Sequence, residues 1–198
     1  MLLQDRRICI LFIAVTLFHL ANAPILPMTT LYVKKLGGSD SMATATVLTA
    51  QTMMIPVAWL AGILAGRWGR KPVLLLAFWI LPARILFYAL AHRPMQVVVL
   101  QSLDGVGAGL FGVVLVLIAA DITQGEGRFN TLLSMFATVQ GIGGIAGPMT
   151  SGEMLDHIGF RWSFLCYAVL ALLAAGIVSF FLKETGPGVG ESVGALNY

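Results

Sequence analysis

Six apolar runs, each of about 20 residues or more, leave this chain few folds to choose from. They lie near 8–33, 41–65, 72–91, 96–120, 129–152 and 162–182. A run of that length can cross a bilayer, and lipid offers no partner to a backbone N–H or C=O, so each must satisfy its own hydrogen bonds as a helix. The expected fold is an all-α membrane protein with six transmembrane helices. Composition agrees: 58% hydrophobic and 11% charged residues leave too little polar surface to coat a soluble globule of 198 residues. Short turns are expected at 34–40, 62–72, 92–95, 121–128 and 153–161. The bundle is expected to occupy 1–183, and the Gly-rich, polar segment 184–198 reads as a disordered cytoplasmic tail.

The formal charge of +3 does not make this a nucleic-acid binder. Its basic residues are scattered over turns and form no stripe interleaved with aromatics. Their distribution fits the positive-inside rule instead. With the N-terminus inside, Arg6, Arg7, Arg67, Arg70, Lys71, Arg128 and Lys183 are cytoplasmic, against Lys34, Lys35, Arg93 and Arg161 outside. Both termini are therefore expected in the cytoplasm, in a multi-pass protein of the plasma or inner membrane. Arg6 and Arg7, an apolar run and Ala21-Asn22-Ala23 imitate a cleaved signal, but Pro24 follows directly and the apolar run continues past it. Cys9 and Cys166 both sit inside apolar runs, which excludes a disulfide framework or a CxxC metal site.

The turn at 62–72, GILAGRWGRKP, is glycine-rich and triply basic. Gly62, Gly66, Arg67, Gly69, Arg70 and Lys71 resemble the signature loop of the major facilitator superfamily, G-x-x-x-D-R-x-G-R-K, with Gly66 standing where the pattern has Asp. That resemblance implies a transporter built from two six-helix repeats with the substrate site between them, of which this chain supplies one. It also implies a small-molecule substrate, a lipid bilayer, and either a second repeat or a homodimer as partner. In the first repeat the fourth helix usually carries R-x-x-Q-G-x-G, whereas here Gln101 opens the corresponding run QSLDGVG. Together with Gly66, and with LLQDRR and LKET at the two ends, this makes the chain resemble the second repeat. GGIAGPMTSG resembles, at looser spacing, the glycine-proline motif of the antiporter branch.

Pro24 and Pro27 either end the first helix near Pro27 or bend it, and Pro56 and Pro82 are expected to break the second and third helices similarly. Gly105 with Gly109, and Gly143 with Gly147 beside Pro148, place small residues four apart, the spacing that lets helix backbones approach closely.

Charged and amide side chains inside a spanning helix are functional candidates because they are costly there. Here they are His19, Asn22, Gln51, Arg84, Gln101, Asp104 and Gln140. At about 1.5 Å of rise per residue, His19 lies about 16 Å, and Arg84 and Asp104 about 18 Å, from the inner face of a core about 30 Å thick. Gln51 and Gln140 sit about 15 Å from one face by the same rise. Arg84 and Asp104, on consecutive antiparallel helices, are each other's natural counter-charge. The pair either only locks two helices together or borders an aqueous substrate cavity in which Asp104 exchanges a proton. His19 is an alternative proton carrier, or simply a hydrogen-bonded group. Gln51 and Gln140 bind a polar solute or bond to neighbouring helices. Asp121, Glu126 and Arg128 read as a solvated or capping cytoplasmic cluster.

The expected function is alternating-access transport of a small solute, including proton-coupled antiport or drug or metabolite efflux, with no cofactor and no metal. A rival is a non-transporting accessory or remnant protein that binds a membrane partner through its Gly-rich faces. An intramembrane enzyme is disfavoured, because the sequence has no His pair at metal-ligand spacing, Gly-x-Ser-x-Gly elbow or Asp dyad.

Overall fold

The computed structural model describes residues 4–125 and 127–185; Glu126 and residues 186–198, most of the expected tail, lie outside the described residues. The described chain is all helical: α1 (Arg6–Asn22), α2 (Ile25–Lys35), α3 (Asp40–Trp68), α4 (Arg70–Leu90), α5 (Pro94–Ile122) and α6 (Phe129–Phe181). Five stretches among the described residues are long and apolar enough to cross a membrane, α1 and α2 counting together as Arg6–Lys35.

The fifth of these stretches, α6, runs for 53 residues. Unbroken, it would extend about 80 Å, far beyond a hydrocarbon core of about 30 Å. Gly159 interrupts it with φ 73° and ψ 174°, a conformation that a residue with a Cβ rarely adopts. The Tyr167 hydroxyl reaches Gly147 O at 3.1 Å. Twenty residues along a straight helix they would lie about 30 Å apart, so the chain doubles back at Gly159. The turn expected over 153–161 is therefore one residue wide, because the helix persists through Ile158 and one left-handed glycine suffices to reverse it.

The basic turn at 62–72 is shorter than its composition suggests. Gly62, Gly66 and Arg67 belong to α3, and Arg70 and Lys71 to α4; Gly69 alone separates the two helices, with φ 94°. No local side chain caps α4. The carboxylate of Glu184, beyond the end of α6, does so instead, accepting from Arg70 N at 2.9 Å and Lys71 N at 3.1 Å. An anion at a helix N-terminus meets unpaired N–H groups and the positive end of the dipole. Arg70 also donates to Asp121 Oδ2 at 2.9 Å and to Ala65 O at 2.7 Å, which ties α3, α4 and α5 together. At the other end of the chain Asp5 caps α1 by accepting from Arg7 N, and the Arg7 side chain holds its carboxyl below the usual carboxylate range.

The prolines act less than expected. Pro56 and Pro82 lie inside uninterrupted helices. Only Pro24 coincides with a break, between Asn22 and Ile25, and Pro27 sits within α2.

Tertiary packing pairs α1 with α6, α3 with α5, and α4 with both α5 and α6. The small-residue spacings explain how. A Cβ at Gly143 would lie 2.5 Å from Thr16 O, and one at Gly147 the same distance from Leu20 O, so α6 rests on the backbone of α1. Gly105 and Gly109 face the backbone of α3 in the same way. The other face of α3 is open: Ile55 and Trp59 are 72% and 73% exposed, and Gln51 and Thr52 are exposed beside them.

Candidate functional site

Where α1, α4, α5 and α6 converge they enclose a cavity of about 360 Å³. His19 and Asn22 reach it from α1, Arg84 from α4, Asp104 from α5 and Gln140 from α6. Five of the seven candidate polar residues thus share one space. Gln51 does not join them, being exposed on α3. Gln101 does not line the cavity either; it is fully buried beside it.

Helix periodicity explains the grouping. His19 and Asn22 are three apart and face the same way. Arg84 and Asp104 stand at one level on antiparallel neighbours, and Arg84 Nη1 meets Asp104 Oδ1 at 2.7 Å. Arg84 Nη2 donates to Asn22 Oδ1. The guanidinium is thus shared between a carboxylate and an amide. Arg84 is 3% exposed but Asp104 is 21% exposed. Asp104 is thus the more open member of the pair.

The remaining walls are aromatic and aliphatic. Phe18 and Phe111 stack at 4.8 Å with planes 3° apart, and the His19 ring lies 5.2 Å from Phe111. His19 Nδ1 is hydrogen-bonded to Val15 O at 3.1 Å, leaving its other ring nitrogen available. A mostly apolar pocket with a few converging polar groups is the usual form of a small-molecule site. Among the described residues no group of three His, Cys, Asp or Glu could hold a metal.

Two contributions escaped the sequence reading. Phe18 and Phe111 carry no signal in the sequence that sets them apart from other aromatics in apolar runs. Tyr88, fully buried, gives its hydroxyl hydrogen to Gln101 Oε1. Its position four residues after Arg84, on the same helix face, was the available signal.

Comparison with known proteins places this geometry. The sequence profile described as Major Facilitator Superfamily matches residues 11–195. The chain belongs to the major facilitator superfamily. Among its relatives, an MFS-type transporter of Mycobacterium tuberculosis (strain CDC 1551 / Oshkosh) is 35% identical over 172 residues, covering 86% of this chain and 41% of that protein. The multi-drug resistance efflux pump PmrA of Streptococcus pneumoniae serotype 4 is 30% identical over 81% of this chain and 41% of its own length. The multidrug transporter protein MdtP of Bacillus subtilis is 24% identical over 77% of this chain. The chain therefore spans well under half the length of these curated relatives. In fold it is similar to a crystal structure of a POT family transporter in complex with 5-aminolevulinic acid, at TM-score 0.78 and 15% identity over 96% of this chain and 44% of that one. Major facilitator membership and the apolar helices make this an integral, multi-pass membrane protein.

Proposed function

We propose that this chain is one six-helix half of a major facilitator carrier, moving a small solute by alternating access, with Asp104 as the carboxylate that meets solute or proton in its cavity. The carrying observation is the unequal exposure of the ion pair: Arg84 is sealed into protein while Asp104 is open to the cavity. A pair serving only to lock two helices has no need of that asymmetry. Counting the two arms of α6 on either side of Gly159 separately makes six crossings. The open face of α3, with Gln51 and Thr52 exposed, and the exposed Ile142, Ile145 and Met149 of α6 would meet the other half; amides are poorly suited to face lipid. A carboxylate beside stacked aromatic rings suits a solute with an apolar body and a positive or hydrogen-donating group, which agrees with efflux of such compounds in exchange for protons.

The test is ethidium flux driven by a pH gradient in proteoliposomes containing the chain alone, or the chain with a six-helix chain encoded beside it. Flux in either case, abolished by Asp104→Asn in protein that still folds, is the expected result. Undiminished flux in Asp104→Asn removes Asp104 from the mechanism. Absence of ethidium binding and flux in both preparations favours an accessory role.

The basic residues around Gly69 favour a topology with both termini in the cytoplasm. In a chain whose Cys9 and Cys166 are replaced by Ser, cysteines introduced at 66–71 are expected to react with an impermeant maleimide only from the cytoplasmic side. Labelling from outside inverts the topology.

A further inference from the structure

The glycines of α5 do different things. A Cβ at Gly105 would lie 2.2 Å from Ala50 O, and one at Gly109 3.0 Å from Ala58 N, so both serve the close approach of α3. A Cβ at Gly107 would touch Ile80 at an ordinary 3.5 Å. Gly112 differs from all three. Nothing lies within 4 Å of a Cβ there, its backbone is helical, and the residue is exposed and lines the cavity. Glycine weakens a helix interior relative to alanine, so neither helix formation nor packing within this chain accounts for it. What its missing side chain does is leave space in the cavity.

That space has a direction. Asp104, Ala108 and Gly112 are spaced four apart, so they form one row along α5, and all three line the cavity. The row runs about 12 Å from Asp104 to Gly112 by the helical rise. Beyond Asp104 it carries nothing larger than a methyl group until Val116, one turn further on. Ala137 of α6, another exposed cavity residue, adds only a methyl as well, while Phe111 stacked on Phe18 supplies an apolar wall. A carboxylate at one end of an apolar trough suits a cation with an elongated apolar body. Its charge rests on Asp104, its body lies over Ala108 and its tip over Gly112.

We propose that Gly112 sets the length of solute the cavity accepts, by leaving room for the tip of an elongated cation whose charge rests on Asp104. This rests on the reading of Asp104 as the carboxylate that meets solute. A branched side chain at 112 would fill the far end of the trough and leave the Asp104 end, two turns away, as it is.

The test is titration calorimetry of the purified chain in detergent with two ammonium ions that share a head and differ in length. One is benzyltrimethylammonium, with a single ring; the other is its para-terphenyl homologue, with three rings in line. Heat from empty micelles is subtracted, and the binding counted is the part lost in Asp104→Asn. In Gly112→Leu the affinity for the three-ring ion, relative to the one-ring ion, is expected to fall by roughly tenfold or more, because an overfilled apolar pocket cannot make room. Gly176→Leu places the same side chain in open space on the second arm of α6, away from the cavity, and should leave that ratio in place. Gly112→Ala, which adds one methyl and favours the helix, should lower the ratio by a smaller factor and carries the test should the leucine variant fail to fold. An unchanged ratio at position 112, or an equal fall in Gly176→Leu, overturns the length role while the Asp104 site stands. Equal weakening of both ions in Gly112→Leu does the same, since that is the mark of a loosened bundle. If neither ion gives heat that depends on Asp104, the reading of Asp104 fails, and this inference fails with it.

Discussion

Asp104→Ala is expected to destabilise the bundle by about 3–5 kcal/mol, and Asp104→Ala combined with Arg84→Ala by clearly less. The single change removes the carboxylate paired with a guanidinium that is 3% exposed. Arginine has no neutral form to retreat to in a protein, so the charge stays, held by the neutral oxygen of Asn22. Removing both partners leaves two small side chains and no buried charge. Arg84→Ala alone should fall below Asp104→Ala, because the carboxylate left behind opens on the cavity and can take a proton. Apparent melting temperatures of the four proteins in one detergent measure the order. Strictly additive losses would show that the two charges do not depend on each other.

Gly143→Leu is expected to lower stability by about 3 kcal/mol, the upper part of the range for overpacked sites. A Cβ at 143 would stand 2.5 Å from Thr16 O, 2.8 Å from Leu20 N and 2.9 Å from His19 Cβ. The first two atoms are α1 backbone, so no rotamer change can make room and the helices themselves must part. Parting them also draws His19 and Asn22 away from the cavity, so the Asn22 contact with Arg84 should weaken as well. Gly141→Leu, two residues earlier on the same helix, is the control. Nothing lies within 4 Å of a Cβ there, and the change should stay within about 0.5 kcal/mol in the isolated chain. Thermal unfolding of the two variants side by side decides the matter. Equal losses would mean that the close approach of α1 and α6 is not what Gly143 provides.

Much of the site was legible before any coordinates. Counting rise per residue put Arg84 and Asp104 at one depth on neighbouring helices, and they are in contact at 2.7 Å. The same count brought His19 to their level. It could not sort the amides, because depth says nothing about which way a side chain faces around the helix axis. Gln140 turns into the cavity, Gln51 turns out of the bundle and Gln101 is sealed behind it. Tyr88 was overlooked for a different reason. A tyrosine in an apolar run is unremarkable by composition, and its hydroxyl matters here only because an amide on the next helix accepts from it.

The sequence by itself determined that the chain is helical and membrane-spanning, since apolar runs of this length admit no other way to satisfy the backbone in lipid. It determined the close-packing glycines too, since spacing four along a helix is a local property. Only the tertiary structure decided how wide the turns are. Gly69 and Gly159 each reverse the chain alone, because a left-handed glycine needs no loop around it and hydrogen-bonded helix can run up to it on both sides. Only the tertiary structure gave α4 its cap from Glu184, more than a hundred residues away in the chain. And only it made Asp104 the open member of the ion pair, because exposure depends on where four helices leave space between them, and no single helix carries that information.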